Sequence, residues 1–413
     1  MPIDFQRVPP RATVPDLPRP SVAWWTFLFV AIVGGGAAFV IYLWPATKPT
    51  NTLWFWLCVI GYPLAAWAFL WSVAMASAYA RRSDAMAVNR ARDAEERDCH
   101  LRAGKPLAIL AHAWCFSADD AENGAEGVGG VASGRMQMAA RPSAAYPETD
   151  VIARWIAIPG KPFYPGNELS EHARHKVVTD WLLDRLLRPV VASLESLPVQ
   201  TRLRVRLVCA SSVEAEEVSA RLEAKILACL PQLLVATTDD TDHLSLFDVD
   251  AWADRLPADE VQLVVALQLR RAISERLDGG VAEAGVALLV GRPGASQHGC
   301  ALHLHRPAKD SAQSASDCVA LAMRWGRTST EGIGTVWDQA LSDEVVTHLK
   351  SSSPLGDAVT WVDLAKTIGN SGSAGAWLAT VLAAENAARS AQSQLVLTQE
   401  GDRCIALVCR KPS

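Results

Sequence analysis

Two long apolar stretches open the chain, at 23–44 and about 53–79, and neither contains Asp, Glu, Lys or Arg. About twenty helical residues rising 1.5 Å each cross a hydrocarbon layer of ~30 Å, so the pair predicts a transmembrane helical hairpin. Trp24, Trp25 and Trp44 bracket the first stretch, and Trp54, Trp56 and Tyr79 the second, as amphipathic rings do at bilayer interfaces. Arg7, Arg11 and Arg19 precede the hairpin, Lys48 alone lies in its connection, and Arg81, Arg82, Arg90, Arg92 and Arg97 follow it. That asymmetry predicts both termini and the bulk of the chain in the cytoplasm. High Ala, Arg and Trp content together with a two-span anchor suggests a bacterial inner-membrane protein. With no ionisable group at membrane depth, the hairpin reads as an anchor rather than a channel or pump. Gly34, Gly35 and Gly36 offer a close helix approach, and Pro63 a kink.

Beyond residue 81 the pattern changes twice. Charged and alanine-rich positions over 80–103 predict a helix continuing out of the second span. Strand and helix periodicities then alternate. Strands are expected at 106–115, 152–158, 202–210, 232–237 and 260–269, and helices at 170–197 and 213–230, with a helical turn over 248–256. Segments 280–291 and 299–307 read as an antiparallel pair. Helices at 311–325, 343–350 and 374–390 precede a terminal strand pair at 394–398 and 403–410. This order predicts sheets flanked by helices, an α/β architecture. Residues 117–150 read as a long Gly/Ala loop, either functional or disordered. The layout is thus a flexible tail over 1–20, the hairpin over 21–80, a juxtamembrane helix over 81–104, and an α/β region in two halves, 105–257 and 258–413.

Charge and cysteines narrow the function classes. A net charge of −5 without a basic cluster beyond the juxtamembrane stretch argues against nucleic acid as the main partner. Nine scattered cysteines, an odd number with no CxxC pair, fit reduced thiols.

Among local constellations, Gly124 to Gly130 is glycine-rich but lacks the Lys-Ser/Thr of a phosphate cradle, and reads as a mobile loop. His298, Cys300, His303 and His305 are the densest set of metal-ligand types. His303 and His305 share one face of a strand while Cys300 points to the other, so no metal site is expected. Asp239, Asp240 and Asp242 lack the spacing of a calcium loop and read as a solvated turn. No cofactor is expected. The segment Lys161 to Gly166 sets Phe163 and Tyr164 among turn formers; these two rings serve either to anchor a protein partner or to staple the following helix, and Trp155 either lines a partner-binding groove or packs in the core. Val208-Cys209-Ala210-Ser211-Ser212 looks like a nucleophile elbow ahead of a helix, where a Cys209 thiolate gains from the helix N-terminus. The alternative is a structural cysteine at a strand end.

Two runs carry a resemblance. Gly280 to Leu289, with Glu283 and Gly285, is similar to the Glu-Gly-Ala-rich strand of thiolase-superfamily ketosynthases. Gly369-Asn370-Ser371-Gly372-Ser373-Ala374-Gly375 resembles the Gly-His-x-Gly-x-Ala loop that opens their buried C-terminal helix. The resemblance implies a thiolase-like fold for both halves of the α/β region, with Gly369, Asn370, Gly372 and Gly375 forming a close-packed structural loop. It also implies that Asn370 stands where those enzymes carry their second catalytic histidine, and no His-Gly-Thr-Gly-Thr segment occurs. As a whole the chain resembles the lipase adaptor family of type VI secretion systems. The resulting expectation is a chain that is not an enzyme: an adaptor or scaffold binding a protein partner such as a secreted lipase effector or a secretion-spike component. The alternatives are a membrane-bound ketosynthase- or acyltransferase-like enzyme using Cys209, or an acyl-ligand sensor.

Overall fold

The computed structural model describes residues 8–16, 20–198, 200–240, 243–295, 302–352, 355 and 359–412. Contacts divide these into one unit before residue 100 and one from His100 onward.

The first unit holds two helices long and apolar enough to cross a membrane, α1 (Val22–Leu43) and α2 (Leu53–Ala103). Each widens into a π turn, at Val30–Gly34 and Leu57–Gly61. The helices pack through aromatic rings, Trp25 on Trp71 and Phe29 on Trp67. Gly36 permits the closest approach, since a Cβ there would stand 2.8 Å from Pro63 Cγ, whereas Gly34 and Gly35 face open space. Within the segment expected as a flexible tail, Ala12 exchanges two 2.9 Å hydrogen bonds with the Asn89 side chain.

The second unit is built on one sheet of strands β1 (Leu107–Cys115), β4 (Arg202–Ala210), β5 (Leu234–Asp240), β6 (Glu260–Gln268), β7 (Ala284–Gly291), β8 (Leu302–Leu304), β9 (Ala308–Ser311), β10 (Ile333–Gln339), β11 (Thr360–Asp363), β12 (Ser393–Glu400) and β13 (Arg403–Arg410). A two-strand ribbon of β2 (Arg141–Pro142) and β3 (Asp150–Val151) stands apart. The sheet order is β11-β10-β12-β13-β8-β1-β7-β6-β4-β5, with β9 also on β13. This order contains one winding twice. In each, the second strand is flanked by the third and fourth in parallel, the fifth runs antiparallel beside the fourth, and the first closes against the fifth. The chain therefore has a thiolase-like mixed α/β fold, as the two motif runs imply.

Alternating side chains give the sheet two apolar faces. One packs on α10 (Gly375–Ser390), which touches β1 and β7 of the first winding and β10, β12 and β13 of the second. Small residues let this helix sit centrally: Ala379, Ala383, Ala384 and Ala387 are wholly buried beside Trp377 and Leu382. The other face of the first winding is covered by α4 (Glu168–Glu195) and α5 (Ala215–Cys229), through Val178, Leu182, Leu186, Leu222 and Ile226.

Three element expectations need correction. Segments 280–291 and 299–307 do not pair with each other: β1 lies between β7 and β8 and bonds to both. Residues 152–158 form only isolated bridges, Arg154 with Ala282 and Ile158 with Lys161. Side chains take the backbone groups that a ladder would use, as Glu283 accepts from Ile156 N at 2.8 Å and Arg141 donates to Ala153 O at 2.9 Å. Within 117–150, the glycine-rich run is helix α3 (Ala125–Ala132), not a mobile loop, because Val128 and Val131 bury against the inner core. The remaining helices are α6 (Val249–Arg255), α7 (Ala315–Trp325), α8 (Asp343–Ser352) and α9 (Leu364–Thr367).

Candidate functional site

The apolar stripe of α4 turns polar at its N-terminal end. Glu171, Arg174 and His175 occupy the face that Val178 and Leu182 continue, and all three are at least 98 % buried. They meet the carboxyl ends of β4 and β6 and the approach to β7. Arg174 makes a two-pronged pair with Glu283, Nη1 to Oε1 at 2.9 Å and Nη2 to Oε2 at 2.6 Å. The same guanidinium donates to Glu171 Oε1 at 3.0 Å and to the carbonyls of Ile156 and Arg270. Buried charge is tolerated when its protons are used in this way, and here the Nη protons are taken while Nε–H has no acceptor among the described residues. Glu283 also accepts from the backbone N–H groups of Ile156 and Arg270. Glu171 accepts from Ile273 N, Ser274 N and Ser274 Oγ. Burial alone would raise its carboxyl, but the His175, Arg174 and Ile273 donors hold it down at about 2.

This frame fixes the elbow after β4. His175 Nδ1 accepts from Ser212 N at 2.9 Å, lies 2.9 Å from Ser212 Oγ and 3.3 Å from Ser211 Oγ. An acceptor Nδ1 puts the ring proton on Nε2, which donates to Arg270 O at 2.9 Å with Glu171 Oε1 3.3 Å away. His172 Nδ1 lies 2.9 Å from Ser212 O. Cys209 is half-buried on the face packed against α4 and α5, whereas Val208 beside it faces the inner core with α10. The elbow thus brings Cys209, Ser211 and Ser212 to the end of β4.

On the inner face, Gln268 at the end of β6 accepts from Ser373 N at 3.1 Å. Asn370 is exposed and closes its own turn, its Oδ1 accepting from Gly372 N at 2.9 Å, while its backbone bridges to Val281. Gly369 and Gly372 have φ of +113° and +52°. A Cβ at Gly372 would strike Gln268 Oε1, and one at Gly375 would strike Gln339 Nε2. Arg270 links the two faces, donating through Nη2 to Asn370 O.

The other sequence candidates lie apart from the elbow. Trp155 lines a cleft of about 370 Å³ with Ser117, Glu122, Met138 and Arg154, where the Arg141 guanidinium sits 3.3 Å from its ring centroid. Phe163 turns inward, 5.7 Å from the Arg174 guanidinium, and Tyr164 is 73 % exposed. His303 and His305 stand with ring centroids 6.1 Å apart. Burial, His303 and Arg410 hold His305 neutral, at about 3. His298, Cys300 and Asp242 lie outside the described residues, as do the side chains of Asp239 and Asp240, whose backbone ends β5 beside β4 rather than forming the expected turn. Sequence reading missed Glu171, Arg174 and His175. Their signal is the i, i+3, i+4 spacing of charged residues on the stripe that becomes the core face of α4.

No known family model matches the sequence, and no curated protein sequence matches it. Solved structures do match. The ishigamide ketosynthase/chain length factor superposes with a TM-score of 0.50 at 16% identity, covering 75% of this chain and all of that one. The PfaC keto synthase-chain length factor gives a TM-score of 0.52 at 10% identity over 75% of this chain and 43% of that one. Identities this low show the shared fold and nothing finer. The fold overturns the expectation of a chain that is not an enzyme: that expectation rests on Asn370 in place of a histidine and on the lack of a His-Gly-Thr-Gly-Thr segment, yet the fold is shared with a ketosynthase/chain length factor. Nothing in these likenesses points to a type VI secretion adaptor.

Proposed function

We propose that this chain is a membrane-anchored protein of acyl-group chemistry, an acyltransferase-like enzyme whose reacting group lies in the elbow Cys209 to Ser212. The observation that carries the reading is the clamp on that elbow, in which buried Glu171, Arg174 and Glu283 hold His175 against it. The elbow stands at the carboxyl ends of the parallel strands β4 and β6, where open α/β sheets gather their ligands. α1 and α2 serve as an inner-membrane anchor, with the catalytic unit in the cytoplasm as the flanking arginines direct. Full-length protein in liposomes, given a long-chain acyl thioester, should release free thiol above protein-free controls. A Cys209→Ala/Ser212→Ala double variant should reduce that release by about 10²-fold or more. Equal release from wild type and double variant would contradict the reading.

A second reading is docking of a protein, such as a secreted lipase effector. It is favoured by Tyr164 and Leu169, large apolar side chains 73 % and 78 % exposed around the start of α4. Exposed aromatics are common interface anchors. Under this reading Tyr164→Ala with Leu169→Ala abolishes capture of a purified partner.

A further inference from the structure

We propose that Ser212 is the acyl-accepting nucleophile of the elbow and that His175 is its general base, an assignment that rests on the acyl-chemistry reading above. Two nucleophiles compete there, and geometry separates them. Ser212 Oγ is 2.9 Å from an imidazole nitrogen that carries no proton. Cys209 packs on the apolar face of α4 and α5. Ser211 Oγ lies farther from the ring, at 3.3 Å, and accepts from Val213 N.

The ring is held in the tautomer that the task requires. Nε2–H is fixed by Arg270 O, and the Glu171 carboxylate beside it offsets the charge that develops when Nδ1 gains a proton. In the step itself, Ser212 Oγ bonds to the acyl carbon as its proton passes to His175 Nδ1. The carbonyl π pair moves onto oxygen, then returns to expel the thiolate or alkoxide, which leaves with the proton from Nδ1. An acceptor hydroxyl or water repeats the sequence and restores the serine. Protonation of Nδ1 has a second consequence: the Ser212 backbone N–H loses its acceptor at that moment. That N–H then faces the new Nδ1–H, and turns toward the oxyanion beside the Oγ–C bond as the step proceeds.

The test uses full-length protein in native membranes and a fluorophosphonate probe. Ser212 Oγ would bond to phosphorus with loss of fluoride. Tandem mass spectrometry is expected to find the phosphonyl group on Ser212. Ser212→Ala should abolish labelling, while Ser211→Ala and Cys209→Ala retain it. His175→Gln keeps an acceptor for the Ser212 N–H and should slow labelling by about 10²-fold or more. Glu171→Gln tests a positioning role. The charged and titratable groups around the ring are Glu171, His172 and Arg174 of the same helix, Glu283 paired to Arg174, and Arg270. Losing the carboxylate should move the labelling rate to a different pH midpoint, which a merely structural role would not do. Failure of the probe to label wild-type Ser212, or unchanged labelling in His175→Gln, overturns the assignment. A thioester adduct on Cys209 without probe on Ser212 also sinks it while leaving the acyl reading intact. Probe on Ser212 with no thiol release supports the nucleophile and contradicts the acyl reading.

Discussion

Glu283 accepts four hydrogen bonds in a fully buried setting, two from Arg174 and one each from the amides of Ile156 and Arg270. Removing one partner of such a pair leaves an uncompensated buried charge, a loss of about 3–5 kcal/mol. Glu283→Ala should therefore unfold at markedly lower denaturant, and a midpoint equal to wild type would remove the frame from the account. Asp338 makes a separable pH prediction. Burial pushes its carboxyl up to about 7, with Asp363 adding to the rise and the Leu341 N–H opposing it. The unfolded carboxyl ionises near ~3.9, so the folded state holds the extra proton between about pH 4 and 7 and stability falls as pH rises through that window. Asp338→Asn should remove this fall and be the more stable protein at pH 8, as thermal melts across pH would read. Glu171 works in the opposite sense. Its depressed carboxyl contributes stability above about pH 4 that is lost as pH falls toward 2.

At the scale of elements, the loop from Gly369 into α10 carries the tightest packing. A valine at 375 must displace Gln339, and one at 372 must displace Gln268 while adopting a positive φ. Gly375→Val should cost about 1–3 kcal/mol by overpacking. A thermal melt indistinguishable from wild type would remove the close approach of α10. This loop was legible in sequence because only small residues fit it. The strands β10 and β11 were not, since Ile333–Gln339 and Thr360–Asp363 are short and punctuated by Gly334, Asp338 and Asp363. Residues 152–158 misled for a different reason. They alternate like a strand, but only 152 and 154 find backbone partners in another segment, on 280–283, while 153 and 156 are taken by the Arg141 and Glu283 side chains, which no local period reveals.

For the whole molecule, the alternation of strands and helices sufficed for an α/β fold, and the Glu283 and Asn370 runs for its thiolase-like kind. The repeated winding was hidden, because it exists only in the pairing of strands far apart in sequence, such as β1 with β7 and β10 with β12. The turn after β4 was legible as a strand-to-helix elbow, but its contact with His175 was not, since His175 precedes it on α4 and reaches it only through tertiary packing. α1 and α2 have the length and apolarity to hold this fold at a membrane, where acyl chains are concentrated. The proposed chemistry requires the elbow after β4 to bond covalently to an acyl group. Its most direct test is peptide-mapping mass spectrometry of the full-length protein, quenched in acid seconds after mixing with an acyl thioester. One acyl group per chain is expected on the peptide containing Cys209 to Ser212, carried by Ser212; an unmodified elbow, with acyl groups absent or scattered over surface lysines, would overturn the proposal.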